Sequence, residues 1–249
     1  MINIYSPKEI AVMQKGGKIL ARILKLISKK VRPGITTEYL NRVAEDLIFS
    51  FGARPSFKGF NNYPAALCTS INDEIVHAIP GKRILQKGDI LSLDLGIRYR
   101  GFCTDAAITV PIGKVSPEAK KLIQATKKCL ELAIGKIKVG NYLEDIGSII
   151  ETHAQKCGFN VIRELVGHGV GRNVHEDPQI LNYRQKERNT ILKPGMVLAI
   201  EPMLALGDFH IRKSEDGFGY KTLDHSLAAH FEHTVAVTRN GPRILTINH

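Results

Sequence analysis

Apolar residues along this chain recur first at helical and then at strand spacing, and the whole sequence of patterns occurs twice. Ile10, Met13, Gly17, Leu20, Leu24, Ile27 and Val31 step by three and four, the period of one helix face. Ahead of them Ser6, Pro7 and Glu9 supply an N-cap, a first-turn proline and the acid of a capping box. A first helix is therefore expected from Ser6 until Pro33-Gly34 stops it. A second begins near Thr36, carries Leu40, Val43, Ala44, Leu47 and Phe51 on one side, and closes on Gly52 as a left-handed cap. A long helix follows Ser116, and another lies between Asn141 and Cys157. Strand-like runs cover 67–71, 90–99, 102–110, 197–204 and 230–237, and only 185–189 reads as an unusually polar loop.

The repetition extends to particular residues. Lys87-Gly88-Asp89-Ile90-Leu91-Ser92-Leu93-Asp94 and Lys193-Pro194-Gly195-Met196-Val197-Leu198-Ala199-Ile200-Glu201 are both apolar runs that end on an acid, six residues after a glycine. Ser6-Pro7 and Ser116-Pro117 open matching helices. His77-Ala78-Ile79-Pro80 and His175-Glu176-Asp177-Pro178 precede the two runs, and Asp105 and Glu232 follow them. Copies of this length exceed solenoid periods and predict two pseudo-twofold-related halves, 1–113 and 114–249, fused into a single domain over 1–249. The expected fold class is α+β, with helices covering one mostly antiparallel sheet.

Composition narrows the picture only a little. The chain has 249 residues, 43% of them hydrophobic and 24% charged, as in ordinary globular proteins. Four cysteines form no C-x-x-C pair, which excludes zinc knuckles and thioredoxin-like redox motifs. Residues 1–10 lack a basic start and an apolar signal core, and no uncharged apolar stretch is long enough to span a membrane. A cytoplasmic protein is expected. The formal net charge of +11 is spread over what read as solvated helix faces and loops. It comes without a nucleic-acid recognition motif, so it implies a weak, salt-sensitive association with an anionic surface and no sequence-specific binding.

The chemistry lies in the strand acids. A carboxylate that closes a run of Ile, Leu and Val is costly to bury unless a cation meets it. In a hairpin turning near Gly101, Asp94 and Asp105 can point to one face, and Glu201 and Glu232 hold the equivalent places in the second half. Gly167-His168-Gly169-Val170-Gly171 adds an imidazole where backbone can approach closely. Four acids together repel one another, whereas two divalent metals would bring four positive charges to meet them. Taken singly, Asp94 also reads as an ion-paired core residue, Asp105 as a turn cap, Glu201-Pro202 as a strand end and His168 as a loop histidine. Their matching places in both halves favour the shared site.

These residues carry a resemblance. Ser70-Ile71-Asn72-Asp73-Glu74-Ile75-Val76-His77-Ala78-Ile79-Pro80, Ser92-Leu93-Asp94-Leu95-Gly96, Asp105, the glycine-rich turn about His168 with His175-Glu176-Asp177-Pro178, Ala199-Ile200-Glu201-Pro202-Met203 and His230-Phe231-Glu232-His233-Thr234 together resemble type I methionine aminopeptidase in its short bacterial form, in order and along the whole chain. The resemblance implies the pita-bread fold and removal of the N-terminal methionine from nascent polypeptides, favoured when the second residue is small. It implies two divalent ions, Fe(II), Mn(II), Co(II) or Zn(II), with Asp105 and Glu232 bridging them, Asp94 on one, and His168 with Glu201 on the other. A metal-bridging hydroxide would attack the first peptide carbonyl, and Glu201 would shuttle the proton to the leaving amine. His175 would stabilise the carbonyl oxygen and His77 would contact the scissile amide.

The resemblance also implies a methionine slot made by Phe57, Phe60, Tyr63, Cys68 and Phe218, a favourable setting for a thioether. Here the chain departs from the family: Val174 stands where Phe or Leu is frequent, and Phe218 where Trp is common. A monomer is expected, with transient ribosome association through its basic surface. The alternatives are a proline-directed peptidase of the same fold, which normally carries an additional N-terminal domain, and a metal-free binding relative, which would have lost the five ligands.

Overall fold

A computed structural model of the chain describes residues 1–247. Helix α1 spans Pro7–Ser28, with the reciprocal Ser6 and Glu9 capping bonds in place. Its apolar stripe is buried, and Gly17 belongs to that stripe because a Cβ there would lie 2.3 Å from the carbonyl oxygen of Leu245. The helix stops before Val31, short of the expected end. Lys30 and Val31 donate to the carbonyls of Ile27 and Ser28, the tighter turn by which helices commonly end. Helix α2, Thr37–Ser50, is capped by the Thr36 side chain and followed by Gly52 at φ 69°. Helices α3, Pro117–Gly135, and α4, Glu144–Lys156, repeat the arrangement, with Ser116 capping α3. α1 and α2 cover one apolar core, α3 and α4 cover another, and a third cluster containing Met13, Cys68, Val174 and Ala199 lies between strands of both parts.

The strands Ile90–Tyr99 and Phe102–Pro111 form a hairpin in which Tyr99 faces Phe102. Its two-residue turn, Arg100-Gly101, has positive φ at both positions (48° and 87°), as a type I′ turn requires. Leu67–Ile71 adds to the other edge of Ile90–Tyr99. In the second part the order is Gly241–Ile244, His233–Thr238, Val197–Ile200, Gly167–Gly169 and Glu176–Ile180. All these pairings are antiparallel, as expected.

The expected single sheet is instead four separate sheets among the described residues, and two of the breaks fall at the acids. The runs 197–204 and 230–237 each split in two: Val197–Ile200 and Met203–Ala205, then Ala228–His230 and His233–Thr238. The register carries across the break, because Ile200 faces His233 and Met203 faces His230. Pro202 has no N–H to give the ladder. Glu232 turns its backbone to the first hairpin instead, donating to Ala107 O at 2.9 Å and accepting from Ala107 N at 3.3 Å.

Two threonines flank that contact. Thr109 Oγ1 accepts the His230 N–H (2.9 Å) and donates to the His230 carbonyl (2.8 Å), while Thr234 Oγ1 does the same for Asp105 (2.8 and 2.8 Å). Each hydroxyl stands in for a ladder partner and contributes about 0.5–1.5 kcal/mol per bond. The backbone that presents Asp105 and Glu232 is thereby fixed from both sides.

Candidate metal centre

Strand register decides where the acids point. Asp94 faces Ala107 and Asp105 faces Gly96, so the two carboxylates are diagonal neighbours on one face of the hairpin. Glu201 and Glu232 lie opposite each other at the break in the second ladder, and the Glu232–Ala107 contact brings that break against the hairpin. His168 arrives on Gly167–Gly169, paired with Ala199. Gly169 must be glycine, since a Cβ would sit 2.1 Å from Asp177 O. One oxygen each from Asp105 and Glu232 and one ring nitrogen of His168 lie within 4.8 Å of one another.

The electrostatics of this cluster are unfavourable as they stand. Asp94, Asp105, His168 and Glu232 are buried, and Asp94 Oδ1, Asp105 Oδ1 and Glu232 Oε1 have no hydrogen-bond partner. Burial, reinforced by the neighbouring acids, pushes Asp94, Glu201 and Glu232 well above the carboxylate range, and burial lifts Asp105 to about 7. His168 Nδ1 lies 2.9 Å from its neighbouring carbonyl, Gly169 O. That contact places the ring proton on Nδ1 and leaves Nε2 with a free lone pair. Nε2 in turn faces Glu201 Oε1 at 3.3 Å. Orphaned carboxylate oxygens beside a lone-pair nitrogen fit divalent cations, and carboxylates with one imidazole suit Fe(II), Mn(II), Co(II) or Zn(II).

The acids open into a cavity of about 590 Å³. Its lining includes His77, His175 and all the expected slot residues, Phe57, Phe60, Tyr63, Cys68 and Phe218. Cys68 is the strand partner of Asp94, so the apolar slot adjoins the acidic end. Tyr63 and Phe218 meet edge to face at 5.6 Å, as do Phe60 and His175 at 5.2 Å. Burial lowers the pKa of both cavity histidines, His77 to about 4 with His175 contributing, so each ring is neutral at pH 7. His77 is held at φ 59°, a conformation that is uncommon outside glycine and clusters at functional sites.

The structure thus gathers every residue singled out in the sequence. It adds Val76, Leu165 and Met203 to the cavity wall, for which no local pattern gave notice, and places Val174 there as well. It also brings up His230, fully buried, with Nε2 3.7 Å from Glu201 Oε2. A strand places residues two apart on one face, so its position two before Glu232 was the available clue.

The sequence model of metallopeptidase family M24 matches residues 11–239. The chain belongs to metallopeptidase family M24. Within M24 it groups with the methionine aminopeptidases and is a hydrolase of that kind. It is 47% identical over 247 residues to the methionine aminopeptidase of Clostridium perfringens, covering 99% of each chain. It is 43% identical over 246 residues to methionine aminopeptidase 1 of Bacillus subtilis, again covering 99% of each. The crystal structure of methionine aminopeptidase from Thermotoga maritima superposes with a TM-score of 0.97 at 43% identity, over 99% of both chains. The prolidase of Pyrococcus horikoshii, an M24-like fold at 22% identity, aligns with a TM-score of 0.81, and this chain spans 64% of its length. The M24 pita-bread fold expected from the sequence is therefore established, and the family implies use of divalent metal.

Proposed function

We propose that this M24 enzyme removes the N-terminal methionine from nascent polypeptides, preferring a small second residue, with Asp94, Asp105, His168, Glu201 and Glu232 holding two divalent ions. What carries the reading is the junction of the orphaned carboxylate oxygens with the free Nε2 of His168 in a cavity that also takes in Phe57, Phe60, Tyr63, Cys68 and Phe218. When bound, divalent metal lowers the pKa of water and polarises a carbonyl.

The chain's own residues do the rest. Glu201 accepts the proton released by the attacking water and delivers it to the leaving amine. His175, a neutral imidazole, donates a hydrogen bond to the carbonyl oxygen as charge develops there, and His77 contacts the scissile amide. Phe57, Phe60, Tyr63, Cys68 and Phe218 enclose the methionine side chain, with sulfur against aromatic edges. In this reading 1–249 is a single catalytic domain of repeated halves, 1–113 and 114–249, with 248–249 lying outside the described residues. We take the monomer as the active unit, because all the proposed ligands come from one chain.

Chelated protein assayed on Met-Ala-Ser beside an Xaa-Pro peptide tests the activity. Cleavage of Met-Ala-Ser alone, lost with chelator and regained with Mn(II), is expected. Cleavage of the Xaa-Pro peptide alone, or of neither with metal present, refutes the reading.

The enzyme meets its substrates in the cytoplasm as they emerge. Among the described residues no helix is long and apolar enough to cross a membrane. The net charge of +11, dense around Lys29, Lys30 and Arg32, supports transient docking to the anionic ribosome. Co-sedimentation with ribosomes at about 50 mM salt that disappears by about 200 mM is expected of such contacts, and failure to pellet at the lower salt removes the idea.

A further inference from the structure

Glu201 has imidazoles on both sides, and only one of them belongs to the metal-ligand set assigned above. His168 Nε2 faces Oε1 at 3.3 Å, while His230 Nε2 faces Oε2 at 3.7 Å. His230 is 1% exposed, and neither of its ring nitrogens has a hydrogen-bond partner. A buried imidazole left unpaired at both nitrogens costs free energy that apolar packing does not return, so folding alone gives no reason for a histidine there. Its backbone is also unusually constrained. Thr109 holds both its N–H and its carbonyl, and its strand partner is Met203, two residues beyond Glu201. The ring is therefore aimed at the Glu201 carboxylate by contacts from both parts of the chain.

We propose that His230 is a positioning residue for Glu201: its neutral imidazole donates Nε2–H to Glu201 Oε2 when Glu201 engages a divalent cation. The proposal rests on the metal-centre reading given above. The gap of 3.7 Å is slightly longer than a hydrogen bond, and a small rotation of the Glu201 carboxylate closes it while Oε1 stays with His168. The two oxygens thereby acquire different partners, and the carboxylate plane is fixed against rotation. Glu232, the acid of the same strand run, receives its orientation from backbone pairing with Ala107. Glu201, followed by Pro202, is held through its carbonyl by Asn182 Nδ2 at 3.0 Å, a backbone contact that does not touch the carboxylate, and His230 supplies one that does. Partners of this kind typically change metal affinity about 10- to 100-fold when removed.

The test compares His230→Leu, which removes the donor, with His230→Gln, whose amide N–H is neutral and has similar reach. Calorimetric titration of chelated protein with Mn(II) should show affinity about 10- to 100-fold weaker in His230→Leu. On Met-Ala-Ser with saturating Mn(II), kcat should fall with little change in KM. His230→Gln should restore both quantities to within a few-fold of wild type, which a role in packing alone does not predict. Should His230→Leu fail to fold, His230→Met replaces it as a donor-free side chain of greater flexibility. Affinity and kcat unchanged in the donor-free variant, or His230→Gln impaired as much as it, overturns the role of His230. Wild-type protein that takes up no Mn(II) overturns the metal-centre reading beneath it, a result distinct from either.

Discussion

Asp105→Ala is expected to abolish cleavage of Met-Ala-Ser, lowering kcat/KM by more than about 10³-fold, or about 4 kcal/mol of transition-state stabilisation, in a protein that remains folded. Asp105 is placed centrally: it lies diagonal to Asp94 and within ligand distance of His168 and Glu232. Removing it takes away one of the two groups, Asp105 and Glu232, that both ions would share. The fold has little to lose, because Oδ1 of this carboxyl has no hydrogen-bond partner and burial already holds its pKa near 7. The clamp by Thr234 acts on backbone and survives the substitution. In chelator the variant should melt no lower than wild type, and addition of Mn(II) should no longer raise its Tm. Two tightly held ions in the variant, or activity within tenfold of wild type, would count against the assigned role.

In the presence of chelator, wild-type protein should lose stability as pH rises from 7 to 9, while the Mn(II)-loaded protein changes much less. Asp94, Glu201 and Glu232 have folded pKa values well above their ordinary ones, and Asp105 is near 7. Groups raised in this way contribute stability that is fully present below the unfolded pKa near 4 and is lost as pH climbs through the folded value. The buried histidines act in the opposite sense. His168 and His230 are lowered to about 3 and His77 to about 4, so their contribution is lost as pH falls from about 6.5 towards those values. The two effects oppose each other between about 4 and 6.5; above 7 the carboxylates act first, joined towards pH 9 by the buried thiols of Cys68, Cys103 and Cys129, whose pKa values burial raises. A loss of about 2 kcal/mol between pH 7 and 9 lowers Tm by about 4–8 °C in a chain of this size. The metal-induced gain in Tm should widen over the same interval. A gain that narrows, or metal-free protein that becomes more stable towards pH 9, contradicts the account of the buried acids.

Much of this was legible in the residues, for identifiable reasons. The stripe from Ile10 to Ile27 has helical spacing and a complete capping box, so α1 could be placed from local pattern. Its early end before Val31 depended on a tightened last turn that the spacing does not encode. Asp94, Asp105, Glu201 and Glu232 stood out because they recur at matching places in two copies. His230 has no such counterpart, since Cys103 occupies the corresponding place before Asp105. The breaks at Pro202 and Phe231 lay inside the strand-like runs 197–204 and 230–237. They go with the missing N–H of Pro202 and with the pairing of Glu232 with Ala107, a contact between residues far apart in the chain. Phe57, Phe60, Tyr63, Cys68 and Phe218 were reached through resemblance, whereas Val76, Leu165 and Met203 come to the cavity from separate strands and loops that nothing local connects.

The central claim is that five side chains from both parts of the chain form one dinuclear metal centre. Anomalous diffraction from a crystal grown with Mn(II), recorded on both sides of the manganese absorption edge, tests it most directly. Two peaks about 3.5–4 Å apart, surrounded by Asp94, Asp105, His168, Glu201 and Glu232, are the predicted result. No peak among these residues under conditions where the crystallised enzyme cleaves Met-Ala-Ser, or a peak only elsewhere in the molecule, would contradict it.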